Sequence, residues 1–259
     1  MRKLLGGMLA AAFAASALPA SADSLSPYVA VRLGYAQTKW DADATVRNPD
    51  AWAVNIADHP VRNDSFSAKD GNIFGALAVG ASFADLPIRA ELEYAHLGKA
   101  SDSEQKQVRV NFTNPPGSTL DVGAYSKQRL KGQTLFTNVY WDFKNSSPVT
   151  PYLSGGIGVA FLKLKTDLLL VTTPTDFYTG SERHSKTNFA WNIGAGVGWQ
   201  LNKQLTLDAG YRYTDLGKIS SGNYKMFLRG NPSTNVPTAR QKADDIHQHQ
   251  LSIGLRYSF

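Results

Sequence analysis

Eight charged side chains stand at alternate positions within otherwise apolar runs, and their signs balance. They are Arg32, Arg89, Glu91, Glu93, Asp142, Asp208, Arg212 and Arg256. Bases and acids in equal number on the same side of neighbouring strands should pair, because an unpaired charge in a narrow interior of low dielectric constant costs several kcal/mol. If these strands close into a barrel, as argued below, the pattern predicts a network of ion pairs in its lumen. Such a barrel would be plugged or would barely conduct ions.

The histidines are a second set of candidates, for catalysis or for binding a metal ion. His247 and His249 share one face of a strand, but no spacing fixes an acidic third ligand beside them. The simpler interpretation is a pair of polar side chains where an apolar strand ends. His96 falls near the end of another strand, and His184 with Ser185 falls in a loop. An acyl-transfer site needs a serine, a histidine and a carboxylate that converge. No convergence is visible, so the sequence predicts no catalytic residue, no metal site and no cofactor.

The elements that would position these side chains are eight segments in which apolar and polar residues alternate with period 2. They cover residues 27–38, 73–83, 88–97, 133–143, 151–161, 189–199, 205–214 and 247–259. Period 2 is typical of a strand with one apolar and one polar face. Each segment has roughly 10 to 13 residues, and a tilted strand needs about 9–11 to cross a bilayer.

The connections between these segments alternate in length. Short turns cover residues 84–87, 144–148 and 200–204, and long polar segments cover 40–72, 98–132, 166–188 and 217–246. Long structureless loops argue against a compact soluble domain. Short turns at one end and long loops at the other are typical of outer-membrane barrels.

Side-chain size decides which face points outward. The polar-side positions carry mostly Gly, Ala and Ser besides the eight charges, and eight strands leave an interior only just wide enough for side chains. Small residues therefore suit the inside, and the large apolar ones suit lipid. Closure of the sheet also leaves no unpaired edge in hydrocarbon. The sequence predicts an all-β fold: an eight-stranded antiparallel up-and-down transmembrane β-barrel with four long extracellular loops and short periplasmic turns. The alternative is a soluble sandwich or a lipocalin-like barrel.

The beginning of the chain predicts export. A basic start, an apolar run rich in alanine and an Ala20-Ser21-Ala22 site indicate a cleaved signal peptide over residues 1–22. Residues 23–259 then form the barrel domain. Cysteine is absent, which excludes disulfides and thiolate metal sites, and a formal net charge of +6 is too mild to indicate nucleic acid.

Two stretches carry a resemblance to a known family. Residues 247–259 (HQHQLSIGLRYSF) and 207–217 (LDAGYRYTDLG) resemble the Opa/OmpA-like group of eight-stranded bacterial outer-membrane surface antigens. The resemblance implies a place in the cell outer membrane of a Gram-negative bacterium. It also implies that the aromatics Tyr257 and Phe259 form a signal read by the barrel assembly machinery.

Lysines mark the end of every predicted strand that meets a long loop. They are Lys39, Lys69, Lys99, Lys131, Lys163, Lys165, Lys186, Lys218 and Lys242, whereas the short turns carry only Lys144 and Lys203. Lysine at strand ends can reflect the snorkelling of its long stem, but snorkelling alone does not favour one rim. We therefore expect a lysine collar that contacts the phosphates of lipopolysaccharide.

Three functions remain open at this point. The leading hypothesis is a surface protein whose loops contact an extracellular ligand, another cell or the envelope; the second is a small passive porin, and the third is an enzyme that modifies lipid A. Aromatic residues of the long segments either bind a ligand or pack the loops together: Trp52, Phe112, Tyr125, Phe177, Tyr178, Tyr224 and Phe227.

Overall fold

The alternating segments form the strands of one antiparallel sheet that closes on itself. The computed structural model describes residues 25–47, 66–83, 85–111, 119–171, 177–228 and 238–259. The predicted signal peptide, residues 1–22, lies outside the described residues, as do Trp52 and Phe112. No helix long and apolar enough to cross a membrane occurs in the described part of the chain.

Eight long strands and one short strand make up the sheet. They are β1 (Leu25–Arg47), β2 (Phe66–Phe83), β3 (Ile88–Asn111), β4 (Thr119–Asp142), β5 (Val149–Val171), β6 (Phe177–Gln200), β7 (Leu205–Lys225), β8 (Phe227–Leu228) and β9 (Thr238–Ser258). Each long strand pairs with its two neighbours, and β9 pairs with β1 to close the ring. The predicted closed eight-stranded antiparallel barrel is thus confirmed.

The lower barrel is the part that ends at the short turns. As expected, its large apolar side chains point outward and its small and polar side chains point inward. Outward side chains such as Leu33 and Ile253 are 60% and 65% exposed, while Tyr28 and Ala30 on the opposite face are buried. Because these outward side chains are large and apolar, this surface suits lipid. The lower barrel is therefore the membrane-spanning part of the protein.

The expectation of four long loops was wrong over most of their length. The strands continue far above the lower barrel: β5 runs on to Val171 and β6 begins at Phe177. The alternation of apolar and polar residues continues above this level, but the two kinds of residue exchange faces. Above Phe161 the inward positions become apolar, with Leu162 and Leu164 buried, and the outward positions become polar. A search for strands with apolar outer faces therefore ends each strand too early.

Two apolar clusters fill the interior of this upper part. The first surrounds Trp40, Leu130, Leu164 and Ile246, and the second joins Leu168 and Leu170 of β5 to Tyr224 and Met226. Apolar residues inside and polar residues outside are the arrangement of a water-soluble β-protein. We call this part the upper sandwich.

The upper sandwich consists of two sheets. They are separated at two places, here called seams, where the backbones of neighbouring strands stop pairing. Strands β2 and β3 pair only up to Gly75 and His96, and β6 and β7 pair only up to Trp191 and Asp215. Above those levels, β3, β4, β5 and β6 form one sheet, the front sheet, and the short strand β8 pairs with β6 at its edge. Strands β2, β1, β9 and β7 form the other, the back sheet.

Side chains close the two seams in place of a backbone ladder. Asn188 Nδ2 donates to the carbonyl oxygens of Leu216 and Lys218 at 2.8 and 3.0 Å. Asp70 Oδ2 accepts a hydrogen bond from the Ser101 amide at 2.7 Å. Gly217, with φ of +75°, marks the point at which β7 turns away from β6.

Candidate functional site

The lumen of the lower barrel holds the eight charges predicted from the sequence, and all of them lie in ion pairs. Arg32 Nη1 lies 2.7 Å from both Glu91 Oε1 and Glu93 Oε2, and Arg212 also pairs with Glu93. These four residues form one connected group. Two separate pairs complete the set: Arg89 with Asp142 at 2.7 Å and Arg256 with Asp208 at 3.3 Å.

Tyrosines enclose this lumen network. The Tyr28 and Tyr140 hydroxyls donate to the two oxygens of Glu91 at 3.1 and 3.0 Å. The guanidinium of Arg89 lies 4.5 Å from the centre of the Tyr140 ring. Each carboxylate of the connected group therefore has more than one donor, and such a satisfied network is rigid.

Neutral polar side chains form the next layer above the charges. Asn192 Nδ2 donates to Asn138 Oδ1 at 2.9 Å, and Gln248 Nε2 donates to Thr38 Oγ1 at 2.8 Å. The apolar cluster around Trp40 lies above them. A hydrated ion would have to cross both the paired charges and this apolar layer.

The nine collar lysines do not form one even ring. Lys39 lies opposite both Lys69 and His247 on the back sheet, and Lys242 lies opposite Asp43 farther up. Lys99 is exposed beside an irregularity in β3. Lys186 faces the seam, where its ammonium donates to the Lys218 carbonyl oxygen at 2.9 Å.

The remaining collar lysines belong to a dense basic surface on the front sheet. Lys131 lies directly opposite Lys163, and Lys165 lies between Arg129 and Arg183. All five are on the outer face, one or two rungs above the lipid-facing Phe161. We call these five residues the basic patch. Its three lysines belong to the predicted collar, whereas its two arginines were not predicted, although Lys127, Arg129 and Lys131 alternate within one segment.

One carboxylate balances part of the basic patch. Asp167 lies 2.6 Å from Arg129 Nη1 and 3.4 Å from Lys165 Nζ, and it accepts a hydrogen bond from Ser181 Oγ at 2.7 Å. Partial burial alone would raise the pKa of Asp167, but the Ser181 hydrogen bond and the two cations outweigh burial, so its pKa is lowered. Asp167 is thus held as a carboxylate that orients Arg129 and Lys165.

A cleft of about 820 Å³ opens on the same outer face above Asp167. Its walls include the aromatic rings of Tyr125, Phe177 and Phe227, with Leu169 between them. Its polar wall groups are Ser103, Gln105, Ser126, Lys127, Asp167, Thr179, Ser181 and Lys225. Gln105 Nε2 donates to the Tyr125 hydroxyl at 3.0 Å and fixes that ring. Of the predicted loop aromatics, Tyr125, Phe177 and Phe227 line this cleft, while Tyr224 is buried in the interior.

The histidines take part in an aromatic ladder on the outside of the back sheet. Tyr211 Oη and His249 Nδ1 are 2.7 Å apart, and His247 stacks on Tyr213 with ring centres 5.7 Å apart. Within the described residues, no group of three or more histidine and acidic side chains could hold a metal ion. His184 and Ser185 lie in β6 rather than in a loop, which corrects the sequence interpretation.

The predicted assembly residues lie on the outer face at the lower rim. The Tyr257 and Phe259 rings meet edge to face with centres 5.4 Å apart. The Phe259 amide donates to the Pro27 carbonyl oxygen at 3.1 Å. Both residues therefore stand where β9 joins β1.

Comparison with known proteins agrees with this architecture. Residues 8–259 match the model of the outer membrane protein beta-barrel domain family. The chain is 34% identical to outer membrane protein PagN of Salmonella typhimurium over 71% of this chain and 72% of PagN. It is 23% identical to opacity protein opA67 of Neisseria gonorrhoeae over 90% and 97% of the two chains. Among solved structures, Neisserial surface protein A covers 89% of this chain and 97% of its own, with 18% identity and a TM-score of 0.43. The chain therefore belongs to the outer membrane protein beta-barrel domain family, and it is a protein of the bacterial cell outer membrane.

Proposed function

We propose that the protein is a surface protein that presents its four strand-connecting segments to other cells or to extracellular molecules. The observation that carries this proposal is the upper sandwich, in which apolar clusters hold the strands together far above the membrane. Neither a pore nor a simple membrane anchor requires such a packed platform. The similarity to PagN and to opacity proteins supports a surface role, and the proposal includes no catalytic role.

A passive porin is the less favoured alternative. Each of the eight lumen charges has an opposite partner, and an apolar cluster lies above them. A permeation path would expose unpaired charges or open the apolar cluster, and both cost free energy. We expect a closed barrel.

A second part of the proposal is that the collar lysines bind lipopolysaccharide of the outer leaflet. The collar lysines of the outer face stand just above the lipid-facing side chains, at the height where the phosphates of lipopolysaccharide lie. We also propose that Tyr257 and Phe259 serve recognition by the barrel assembly machinery, since they flank the junction of β9 and β1.

The surface role can be tested by replacing the connecting segments one at a time. Segments 48–65, 112–118, 172–176 and 229–237 would each be exchanged for a short Gly-Ser linker in a bacterium without adhesins of its own. Adhesion to a panel of epithelial cells would be counted. We expect at least one exchange to abolish adhesion while the barrel stays in the outer membrane.

The matched control is a change at the opposite rim, in the short turn 144–148, which should leave adhesion unchanged. Wild-type protein that never increases adhesion to any cell type, although it is present at the surface, would contradict the proposed function.

A further inference from the structure

The outer face of the front sheet changes its chemistry in a fixed order from the membrane upward. Strand β5 shows the order on its own: Ile157 and Phe161 face lipid, Lys163 and Lys165 follow, and Leu169 lines the cleft. Residues on one face of a strand repeat every two positions, so Lys163 lies about 7 Å along the strand from Phe161 and Leu169 about 20 Å farther along from Lys163. An apolar zone, a basic zone and an aromatic zone thus lie on one continuous surface.

The basic zone carries more positive charge than the protein itself balances. Across β4, β5 and β6 its outward positions hold Lys127 and the five residues of the basic patch, with Asp167 as the one carboxylate among them. Like charges directly opposite each other, such as Lys131 and Lys163, destabilise a sheet. Among the described side chains, neither of these two lysines nor Arg183 has an acidic partner within ion-pair distance. This arrangement favours an external anion.

The geometry of the basic patch suits a phosphate group. Lys131 and Lys163 can approach one anion from adjacent strands, and Arg183 adds a planar guanidinium from β6. Phosphate oxygens form strong charge-assisted hydrogen bonds with such groups. Asp167 already holds Arg129 and Lys165 in place, so it organises the patch rather than competing for it.

The cleft above the patch suits sugar rings. Tyr125 and Phe227 are exposed aromatic faces, and Gln105, Thr179 and Ser181 offer hydrogen-bonding groups around them. A saccharide has both apolar ring faces and hydroxyl groups, so it can use both kinds of wall. Lys127 and Lys225 also line the cleft, and the carboxylate of its lining, Asp167, is already paired with Arg129 and Lys165, so the cleft favours a saccharide that is itself anionic.

We propose that the outer face of the front sheet is a specific binding site for one phosphorylated glycolipid of the outer leaflet. Its acyl chains lie along Ile157 and Phe161, and its phosphates bind Lys131, Lys163 and Arg183. Its sugars occupy the cleft at Tyr125 and Phe227. The order acyl chain, phosphate and sugar in such a lipid matches the order of the three zones. This site rests on the proposed seating in lipopolysaccharide, but it replaces an even collar with one defined site.

The experiment compares two variants that lose the same charge on opposite sheets. The front variant is Lys131→Gln, Lys163→Gln and Arg183→Gln, and the back variant is Lys39→Gln, Lys69→Gln and Lys242→Gln. Each full-length protein would be placed in phosphatidylcholine nanodiscs, and its affinity for lipid A, for full-core lipopolysaccharide and for dephosphorylated lipopolysaccharide would be measured. The shift of its band on heating would show that each variant is folded.

We expect the front variant to bind lipid A and lipopolysaccharide about tenfold or more weakly, because several charge-assisted contacts are lost together. The back variant should bind as the wild type does. Dephosphorylated lipopolysaccharide should bind wild type and front variant alike. In a third variant, Tyr125→Ser with Phe227→Ser, affinity for full-core lipopolysaccharide should fall while affinity for lipid A stays unchanged.

The other outcomes distinguish failure of this binding site from failure of the proposed contact with lipopolysaccharide. Equal losses in the front and back variants would overturn the site and leave a lipopolysaccharide contact spread over lysines of both sheets. No loss in either variant would overturn both. Binding of a soluble phosphorylated oligosaccharide as tight as that of the glycolipid would overturn the lipid occupant in favour of a free anionic saccharide. The adhesion assay does not depend on any of these results.

Discussion

Arg32 and Glu91 form a two-pronged ion pair inside the lower barrel. Arg32 Nη1 lies 2.7 Å from Glu91 Oε1, and Arg32 Nη2 lies 2.7 Å from Glu91 Oε2. Glu93, which also contacts Arg32, pairs in addition with Arg212 from the other side of the lumen. Because this group has equal numbers of buried cations and anions, removal of one member leaves a charge without compensation.

The lumen network predicts an asymmetry between single and paired substitutions. Glu91→Gln should lower the free energy of unfolding by about 3–5 kcal/mol, because it leaves an excess buried cation. Adding Arg32→Met should recover much of that loss, since Glu93 and Arg212 remain as a balanced pair. Urea unfolding in detergent micelles measures both. A double variant that is less stable than the single one would refute the account of compensated charge.

Conductance offers an independent check of the same network. In planar bilayers the wild-type protein should show no large, steady channels, because paired charges and the cluster around Trp40 close the lumen. Glu91→Gln combined with Glu93→Gln leaves the arginines without partners, and it should increase leakage or lower stability. Steady wild-type openings of porin size would count decisively against a closed barrel.

Asp167 and Asp102 should affect stability with opposite signs as pH changes. The pKa of Asp167 is lowered in the folded state, so its contribution to stability is present above the unfolded value of about 3.9 and is lost as pH falls through the folded pKa. Burial, with Asp70 nearby, raises the pKa of Asp102. Asp102 therefore lowers stability once pH rises above the unfolded value.

The matched substitutions are Asp167→Asn and Asp102→Asn. At pH 7 the first should lower the midpoint of heat unfolding and the second should raise it. The effect of Asp102→Asn should vanish as pH falls below the unfolded value, whereas that of Asp167→Asn should persist to lower pH and vanish only below the lowered folded pKa. Shifts of the same sign at pH 7 would show that the two carboxylates do not act through their pKa values.

The upper sandwich should depend on its core as a water-soluble protein does. Leu164 is 1% exposed and Leu153 is 53% exposed on the lipid-facing side of the same strand. Leu164→Ala should cost about 2–5 kcal/mol through lost burial and a cavity. Leu153→Ala should cost less than about 1 kcal/mol, because detergent fills the space. Limited proteolysis should cut the Leu164 variant above the membrane first.

The lower rim gives a prediction about assembly. Tyr257→Ala with Phe259→Ala should reduce the amount of folded protein in the outer membrane more than Trp141→Ala with Phe143→Ala does. Both pairs are outward aromatics at the same rim, so loss of interfacial anchoring is matched. The measurement is the amount of the heat-modifiable band in membrane fractions. Equal reductions in the two variants would show that Tyr257 and Phe259 act only as interfacial anchors and not as an assembly signal.

The sequence predicts the lower barrel well because lipid imposes a simple rule on it. Large apolar residues such as Leu33 and Ile253 must face outward there, and the charges such as Arg32 must face inward and pair. The upper sandwich escaped prediction because its faces have the opposite polarity to those of the lower barrel. Leu162 and Lys163 continue the alternation, but here the apolar residue faces inward and the polar residue faces outward. The basic patch escaped for a different reason. Lys127, Arg129 and Lys131 alternate within one segment, but the register that brings Arg129, Lys165 and Arg183 together is set by three strands.

The two seams give the exposed end of the protein a freedom that a fully hydrogen-bonded barrel lacks. Segments 112–118 and 172–176 connect strands of the front sheet, and 48–65 connects two strands of the back sheet, whereas 229–237 links β8, which pairs with β6, to β9. Within the described strands, no backbone ladder joins β2 to β3 above Gly75, and above Trp191 the β6 side is joined only through the two residue pairs of β8. An insertion in the hairpins at 48–65, 112–118 or 172–176 therefore does not shift the register of the other sheet. Evolution can therefore lengthen, shorten or exchange the hairpins of one sheet in separate steps, while the membrane barrel below keeps its shape.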